Sequence, residues 1–486
     1  MIAAKEIKVL DRNAEYYGSH PEKLMESAGK GVADYVDRNI KPGSILIFCG
    51  HGNNGGDGFV AARYLSNNYE VTVFLAGSEE NIRSDIAQKN YNRLKKLPIT
   101  LYDHHSLGEI PELINQSNLI IDAMLGIGLS GDLRPPFNTI VQSINRTKDK
   151  TIISVDVPTG LGMNESVKPA VTITFHDLKE GMVTENAGDI VIVDIGIPKK
   201  AQQYVGPGDL MIHYPVPKKQ SHKGENGRLL VIGGGPFSGA PALSALAALR
   251  TGADLVFVAT PKQTAKVIGS YSPNIILKPV TSGHMITKDD INPIRELLST
   301  VDAVVLGPGL GSSYDTADAV RSFVPFIVKQ NLPLVVDADA LRAIGQNRDC
   351  IQKTRTIITP HAGEFTDFTG TEPPIDLKQR ADFVFQWAKK LGICIFLKGA
   401  VDIMSDGETT KLNDVHNPAM TVGGTGDVLA GIIGALLSKK TDPMNAMRMA
   451  AFLNGKAGNL VFQKKSYGLL ATDIIEQIPL VLKTYL

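Results

Sequence analysis

Two glycine-rich segments carry the residues with the clearest chemical potential in this chain of 486 residues. The first reads GHGNNGGDG at residues 50–58, directly after an apolar run at residues 45–49. The second reads GGTGD at residues 423–427, directly before an apolar helical stretch. Glycines at the start of a helix let backbone N–H groups approach a phosphate, and the helix dipole favours negative charge there. The chain is therefore predicted to hold two phosphate-handling sites and to have two activities.

The first glycine segment is followed by two further polar segments at the ends of predicted strands. Asp122 begins the segment DAMLGIGLSGD at residues 122–132, and Asp156 begins DVPTG at residues 156–160. The carboxyl ends of parallel strands meet along one edge of a sheet, which is where such sheets bind ligands. We therefore expect the three segments to line one crevice.

Two other interpretations of the first segment were weighed. Gly50, Gly52 and Gly55 formally match the GxGxxG pattern of dinucleotide-binding folds. A nicotinamide dehydrogenase would also need an acidic residue at the end of its second strand, and residues 71–77 contain none. Turns and helix caps alone would account for any single segment, but turn chemistry does not require Asn-Asn-Gly-Gly-Asp.

Asp427 is the candidate base of the second site. Its position at a helix start suits phosphoryl transfer to a hydroxyl, because the carboxylate would take the hydroxyl proton while N–H groups stabilise the transferred charge. The alternative for Asp427 is a helix N-cap. Segments at residues 307–311, 359–364 and 397–400 each follow a predicted strand and support the site. His361 alone would be interpreted as an ordinary loop or core histidine.

The elements that must position these residues alternate between β-rich runs and amphipathic stretches. The first series has predicted strands at residues 45–49, 71–75, 119–122, 151–155 and 171–175, with helices over 59–67 and 83–96. The second series has predicted strands at 228–232, 254–259, 303–306, 334–336, 356–358 and 393–397, with helices over 240–251, 314–329 and 427–437. This rhythm predicts α/β domains in which helices cover a parallel sheet.

A segment rich in proline and charge at residues 214–221 separates the two series. We therefore predict one domain over residues 1–217 and a second, different domain over residues 218–486. The chain is long enough to need more than one core. No motif repeats at a fixed offset, so we predict no internal repeat.

Composition and charge exclude several classes of function. Lys plus Arg and Asp plus Glu are both 50, so the net charge of zero favours neither nucleic acid nor an anionic membrane as partner. Cys49, Cys350 and Cys394 form no CxxC pair, which argues against a disulfide framework or a cysteine zinc site. Residues 1–10 lack the apolar run of a signal peptide, and no stretch is long enough for a membrane span. We expect a cytoplasmic protein that binds small molecules and, given its apolar helical faces, forms a homo-oligomer.

Residues 1–214 resemble the YjeF N-terminal family, the epimerases of hydrated NADH and NADPH. The motifs that carry the resemblance are LMExAG at residues 24–29, NNGGDG at 53–58, VDVPTG at 155–160 and TxTFxxxKxG at 172–181. The resemblance implies a Rossmann-like three-layer domain with a parallel sheet. It also implies that Asn54, Asp122 and Thr159 hold a potassium ion and that Asp156 binds substrate and acts as acid/base.

The same resemblance implies which residues contact the hydrated nucleotide in the first domain. These residues are Asn53, Asn54, Gly55, Gly56, Asp57, Gly126, Ile127, Gly128, Leu129, Ser130, Gly131, Asp132 and Asp156. A carboxylate that moves a proton can promote reversible loss or ring opening at the carbon that bears the hydroxyl. Ile127 stands where relatives often have threonine, and the loop lacks the lysine of some animal relatives. The second proton donor is therefore left open.

Residues 218–486 resemble the ribokinase-like superfamily and, within it, the YjeF C-terminal family of NAD(P)H-hydrate dehydratases. The matching motifs are HKGxxGR at residues 222–228, SGA at 238–240, AALRxGA at 247–253, GPGLG at 307–311, NPxM at 417–420 and GGTGDVLAG at 423–431. The resemblance implies that Ala240, Gly309, His361 and Asp427 contact the hydrated nucleotide. It implies that ADP, with its magnesium ion, is bound by Lys398, Gly399, Ala400, Val401, Asp402 and Gly426. Asp254, Pro241, His416 and Ala419 depart from the common pattern.

Together the two resemblances imply a bifunctional enzyme. The first domain would interconvert the R and S forms of hydrated NADH or NADPH, and the second would dehydrate the S form with ADP, giving AMP and phosphate. Asp427 would be the base that activates the substrate hydroxyl for phosphorylation. Two alternatives stay open at this point: a ribokinase-like kinase of a vitamin-precursor alcohol with a nucleotide-binding first half, and a first half that binds a ligand without turnover.

Overall fold

The first sheet is parallel throughout the described part of the chain, and the computed structural model describes residues 1–128 and 131–486. In chain order its strands are β1 (Ser44–Cys49), β2 (Glu70–Leu75), β3 (Thr100–Tyr102), β4 (Leu119–Ala123), β5 (Thr151–Val155), β6 (Val171–Phe175) and β7 (Asp189–Val193). The helices beside it are α1 (Ala4–Tyr16), α2 (Pro21–Asn39), α3 (Asn53–Leu65), α4 (Asp85–Leu94), α5 (Ile110–Gln116), α6 (Phe137–Asn145), α7 (Thr184–Ala187) and α8 (Lys199–Gln203). The spatial order is β3-β2-β1-β4-β5-β6-β7, so the order along the chain reverses between β1 and β4.

The five inner strands of this sheet (β2, β1, β4, β5 and β6) are largely buried and carry core residues on both faces, which confirms the predicted three-layer α/β arrangement, whereas the edge strands β3 and β7 are partly exposed. In β1, Ile45 and Ile47 pack into one core cluster, whereas Leu46 and Phe48 pack into a cluster on the opposite face. Parallel strands covered on both sides are apolar throughout rather than alternating. This is the reason that the strand positions were recognisable in the sequence.

Helix α3 begins earlier than predicted. The sequence predicted a helix over residues 59–67, but the structure begins it at Asn53, so Gly55 and Gly56 lie in its first turns. A Cβ on Gly55 would lie 1.9 Å from the carbonyl oxygen of Gly50, and a Cβ on Gly56 would lie 2.5 Å from Met25 Cε of α2. The backbone contact at Gly55 requires glycine and outweighs its low helix propensity, whereas the end of the Met25 side chain packs against Gly56.

The second sheet is larger and mixed. In chain order its described strands are β8 (Arg228–Ile232), β9 (Leu255–Thr260), β10 (Ile276–Pro279), β11 (Ala303–Leu306), β12 (Leu334–Val336), β13 (Thr356–Ile358), β14 (Cys394–Leu397), β15 (Asp402–Ser405) and β16 (Thr410–Asn413). The spatial order is β10-β9-β8-β11-β12-β13-β14-β15-β16, and the order along the chain reverses between β8 and β11. Strand β15 pairs antiparallel with both β14 and β16, an edge that was not among the predicted elements.

The helices of the second unit cover this sheet. They are α9 (Pro207–His213), α10 (Gly239–Arg250), α11 (Lys262–Tyr271), α12 (Ile291–Leu298), α13 (Tyr314–Lys329), α14 (Asp339–Ile344), α15 (Ala362–Thr369), α16 (Leu377–Leu391), α17 (Thr425–Ser438), α18 (Pro443–Lys465) and α19 (Ala471–Tyr485). Residues 428–438 of α17 are buried without exception. Across residues 1–128 and 131–486, no helix combines the length and the apolar character needed to cross a membrane.

The chain divides into two compact units between Gln202 and Gln203, whereas the sequence predicts a boundary after residue 217. Helix α9 explains the difference. Its Leu210 packs into the core of the second unit, and its Asp209 carboxylate accepts a hydrogen bond from Arg448 Nε at 2.6 Å. The proline-rich segment that follows α9 is thus part of the second unit.

Candidate active sites

Asp122 is the centre of a buried hydrogen-bond network in the first unit. It lies at the carboxyl end of β4, and its carboxylate accepts hydrogen bonds from Ser154 Oγ at 2.9 Å and from the N–H and Oγ1 of Thr159 at 2.9 and 2.7 Å. Burial raises the pKa of Asp122, and the hydrogen bonds from Thr159 and Ser154 oppose that rise. Thr159 Oγ1 also accepts from the Leu125 N–H at 2.9 Å, so the loops after β4 and β5 are fixed to each other.

Asn54 brings a polar side chain without a partner to the same edge of the sheet. It lies in the first turn of α3, is 8 % exposed, and neither its Oδ1 nor its Nδ2 atom has a hydrogen-bond partner among the residues that the structure describes. A Cβ on Gly126 would lie 3.6 Å from Asn54 Cβ and 4.0 Å from Asp156 Oδ2, so these three predicted residues are neighbours. A buried amide without a partner is costly and indicates a missing ligand or ion.

Asp156 is held in an unusual backbone conformation next to a buried lysine. It follows β5 with a φ of 65°, in the left-handed region that disfavours residues other than glycine. Its N–H donates to the Ile173 carbonyl at 2.8 Å. Lys179 Nζ lies 2.6 Å from Asp156 Oδ1 and also donates to Thr174 Oγ1 at 2.9 Å. The carboxylate is therefore fixed at the end of the sheet.

Two more carboxylates act electrostatically on Asp156. Burial raises the pKa of Asp57 well above its usual range, and the charges of Asp156 and Asp11 add to that rise. Desolvation, followed by repulsion from Asp156, raises the pKa of Asp11 on α1 to about 6, although its side chain still reaches solvent. Lys179 lowers the pKa of both groups. Asp11 is thus a carboxyl group near Asp156 whose pKa allows proton exchange near neutral pH.

The remaining predicted residues of the first unit have different surroundings. Ile127 packs against a small buried cluster, and Lys8 Nζ of α1 lies 3.4 Å from the position of a Cβ on Gly128. Asp132 is exposed and accepts a hydrogen bond from Asn164 Nδ2 at 3.1 Å. Gly131 is exposed with a φ of 85°, and Asn53 is the exposed first residue of α3. Leu129 and Ser130 lie outside the described residues.

In the second unit, Asp427 lies in the first turn of α17. Gly424 precedes this helix in the left-handed conformation, with a φ of 96°. Burial, followed by repulsion from Asp337, raises the pKa of Asp427 to about 7, whereas Lys398 opposes the rise. Asp427 is thus a carboxyl group with a pKa suited to a general base at neutral pH.

Lys398 follows β14 and links several of the predicted segments. Its Nζ donates to Asp337 Oδ1 at 3.0 Å and lies 3.8 Å from Glu364 Oε2. Burial alone would lower the pKa of Lys398, but Asp337 and Glu364 outweigh it and the pKa is raised. A Cβ on Gly426 would lie 3.4 Å from Lys398 Nζ, so the ammonium is close to the start of α17. The Lys398 ammonium and the N-terminus of α17 are thus the two positive groups that an anion would meet here.

His361 caps a helix. Its Nδ1 accepts hydrogen bonds from the N–H groups of Gly363 and Glu364 at 3.1 and 3.2 Å, at the start of α15. Nδ1 therefore has a structural role as a helix cap. The side chain is 55 % exposed and Nε2 lies 3.6 Å from Glu364 Oε1. Only Nε2 is left to face a ligand.

The predicted nucleotide segment at residues 398–402 forms a tight connection between β14 and β15. Asp402 accepts hydrogen bonds from the Gly399 N–H at 3.0 Å and from Asn413 Nδ2 at 2.9 Å. His416 Nε2 lies 3.0 Å from the Ala400 carbonyl. Asp402 therefore stabilises the turn itself, while Gly399 and Ala400 are exposed and Val401 is half-buried.

Gly309 and Ala240 lie where the strand order of the second sheet reverses. Gly309 has a φ of 69°, and a Cβ there would lie 2.5 Å from the Phe237 carbonyl oxygen and 3.2 Å from Pro241 Cδ. The loops after β8 and β11 are thus in contact, and only glycine fits at this position. Ala240 is half-buried in the first turn of α10.

Comparison with known proteins assigns both units. Residues 21–181 match the family model described as "YjeF-related protein N-terminus", and residues 229–480 match the model described as "NAD(P)H-hydrate dehydratase". A bifunctional NAD(P)H-hydrate repair enzyme of Hyperthermus butylicus is 38 % identical over 98 % of this chain and 91 % of its own length. The enzyme of the same name from Archaeoglobus fulgidus is 39 % identical over 98 % of this chain and 97 % of its own length.

The chain belongs to the bifunctional NAD(P)H-hydrate repair enzyme family.

Solved structures agree with the fold of the second unit of this repair-family chain. A hypothetical protein from Streptococcus mutans has a TM-score of 0.50 and 25 % identity over 58 % of this chain and 99 % of its own. A ribokinase-like superfamily protein from Enterococcus faecalis has a TM-score of 0.51 and 24 % identity over 58 % of this chain and 96 % of its own. The predicted fold of the second unit is confirmed, and the repair-enzyme family is favoured over the vitamin-precursor kinase.

Sequence reasoning did not identify several residues of the two repair-family crevices. Lys179 stood in a recognised motif but had no assigned role, and Asp11 and Lys8 belong to a helix that was not predicted. Asp337 and Glu364 were not recognised as partners of Lys398. The position of Asp337 directly after the predicted strand at residues 334–336 was the available signal.

Proposed function

We propose that the first unit interconverts the R and S forms of hydrated NADH and NADPH. We further propose that the second unit converts the S form to NADH or NADPH with ADP, giving AMP and phosphate. The observation that carries this proposal is shared by both units. Each places a carboxylate, Asp156 or Asp427, at the edge where parallel strands end, and each has a lysine ammonium in the same crevice.

In the second unit, Asp427 takes the proton of the substrate hydroxyl while the terminal phosphoryl group of ADP is transferred to that oxygen and AMP leaves. Hydroxide is a poor leaving group, whereas the phosphate formed in this step leaves readily. Elimination of phosphate with loss of a proton from the neighbouring ring carbon restores the double bond of the dihydronicotinamide. Lys398 and the N–H groups at the start of α17 stabilise the charge on the transferred group.

Magnesium would enter the second unit with ADP. The carboxylates near Asp427, including Asp339 and Glu364, are the oxygen donors that this ion prefers. When bound, the ion neutralises phosphate charge. Exposed Gly399 and Ala400 and the N-terminus of α17 would contact the nucleotide, while His361 Nε2 would face the hydrated substrate.

In the first unit, Asp156 takes the proton of the hydroxyl on the carbon beside the ring nitrogen while the bond between that carbon and the nitrogen breaks, which leaves a carbonyl and a protonated nitrogen. The nitrogen then attacks the opposite face of the carbonyl and loses its proton, and the oxygen regains a proton as the inverted hydroxyl. Asn54, Asp122 and Thr159 would hold potassium. The partnerless amide of Asn54 supports this assignment, since alkali and alkaline-earth cations take oxygen ligands. The ion would contribute positive charge beside the substrate.

The decisive experiment follows the dihydronicotinamide absorbance when a mixture of R and S NADPH hydrates meets the protein with ADP, with ATP or with neither. Full recovery with ADP supports both activities, recovery that stops after the S fraction contradicts the epimerase, and no recovery contradicts the dehydratase. Asp156→Asn should reduce use of the R form to a small residual rate while exposed Asp189→Asn on β7 leaves it unchanged. Exchange of potassium for lithium should slow only epimerisation.

Three statements from the sequence stay predictions: a cytoplasmic location, no nucleic-acid partner and a homo-oligomeric assembly. Size-exclusion chromatography with light scattering tests the assembly directly.

A further inference from the structure

The two oxygens of Asp156 have different surroundings. Oδ1 lies 2.6 Å from Lys179 Nζ. Oδ2 lies 4.0 Å from the position of a Cβ on Gly126, beside the partnerless amide of Asn54. One oxygen is therefore anchored within the protein, while the other is directed toward the loop expected to hold the substrate.

The anchor itself is rigid. The Lys179 side chain is 3 % exposed, and its Nζ donates to Thr174 Oγ1 at 2.9 Å and to the Phe175 carbonyl at 2.5 Å in addition to contacting Asp156. An ammonium has three N–H donors, so these three acceptors saturate it. Burial and three acceptors therefore fix the position of the ammonium.

The backbone that carries Lys179 is held from the N-terminus of the chain. The Ile2 N–H donates to the Leu178 carbonyl at 2.8 Å, and the Ile2 carbonyl accepts from the Glu180 N–H at 3.1 Å. These bonds form a parallel bridge on either side of Lys179. The position of the ammonium is thus set by main-chain as well as side-chain contacts.

Charge gives Lys179 a second effect on the crevice. Lys179 lowers the pKa of Asp57 and of Asp11, so its positive charge acts on both carboxyl groups that neighbour Asp156. Without the ammonium, Asp156 Oδ1 would lose its ion-pair partner.

We propose that Lys179 is a positioning residue for epimerisation: it holds Asp156 through Oδ1 so that Oδ2 is the oxygen that exchanges the proton of the substrate hydroxyl. The inference rests on the proposed epimerase function. It goes beyond that function by assigning separate tasks to the two carboxylate oxygens.

The test compares Lys179→Met, which keeps the length of the side chain and removes its charge, in the wild-type and Asp156→Asn backgrounds. In the wild-type background kcat for the R hydrate should fall about 10- to 150-fold, with little change in KM. This range corresponds to the loss of one hydrogen bond to a charged group. In the Asp156→Asn background, assayed at high enzyme concentration, Lys179→Met should lower kcat by less than about twofold, because the effects of residues that act through one another are not additive. Lys30→Met, at an exposed lysine paired with Asp34 on α2, is the control.

The dehydratase rate on pure S hydrate reports in each variant whether the second unit is intact. Equal losses from Lys179→Met in both backgrounds would mean a structural role and would overturn the inference, as would an unchanged kcat. If Lys179→Met does not fold, Thr174→Val removes one acceptor of the ammonium without touching Asp156. It should lower kcat severalfold at constant KM, and no change would count against the proposal. Failure of the wild-type protein to convert the R hydrate would instead refute the epimerase function itself.

Discussion

The pH dependence of the dehydratase reaction tests the assignment of Asp427 most directly. Burial and repulsion from Asp337 raise the pKa of Asp427 to about 7. A base must be ionised to accept the hydroxyl proton, so kcat/KM should fall as the pH drops through this pKa. A group with a pKa of about 7 is roughly 90 % ionised at pH 8 and roughly 9 % ionised at pH 6. We therefore expect kcat/KM to fall about tenfold between these two pH values.

Two substitutions should move this acid limb in opposite directions. Asp339 raises the pKa of Asp427, so Asp339→Asn should move the limb to lower pH while its amide oxygen still accepts the Gly311 N–H. Lys398 lowers the pKa of Asp427, so Lys398→Met should move the limb to higher pH. Asp382→Asn, at an exposed position on α16, should leave the profile unchanged.

The assay is the recovery of dihydronicotinamide absorbance from pure S hydrate with ADP, from about pH 5.5 to about pH 9, corrected for the reaction without enzyme. ADP itself titrates in this range, but it does so equally with every variant. Differences between the variants in the position of the acid limb therefore measure changes in the pKa of Asp427. A flat profile between pH 6 and pH 8, or an acid limb that Asp339→Asn does not move, would refute the reasoning.

Two further predictions concern stability and the N-terminal bridge. Arg448→Met leaves the Asp209 carboxylate buried without its guanidinium and should lower the free energy of unfolding by about 3–5 kcal/mol in denaturant titrations, whereas exposed Lys464→Met should have little effect. An unchanged midpoint for Arg448→Met would contradict this. Ile2→Pro removes the N–H that donates to the Leu178 carbonyl and should slow epimerisation severalfold while dehydration is unaffected. Ile2→Val is the control, and equal rates for the two variants would show that the bridge has no influence on the site.

Most strand positions could be predicted because a parallel strand buried on both faces is a continuous apolar run. The start of α3 could not, since Gly55 and Gly56 look like loop residues until their close contacts with Gly50 and Met25 are known. The edge strands β15 and β16 also escaped prediction. They are four residues each, which is too short for a clear period.

The candidate sites show the same division. Asp122, Asp156 and Asp427 could be selected because they stand at strand ends or at a helix start, which are local features of the sequence. Lys179 is separated from Asp156 by the whole of β6, and Asp337 is separated from Lys398 by two strands and three α-helices. No local sequence pattern indicates a contact between residues so far apart along the chain.

By itself the sequence determined the alternation of strands and helices, the two glycine-rich helix starts and the carboxylates beside them, because each depends on residues close together in the chain. Only the tertiary structure decided which oxygen of Asp156 is anchored, that Asn54 has no partner, and that the pKa of Asp427 lies at about 7. Those properties arise from desolvation and from charges on distant segments, and both exist only once the chain has folded.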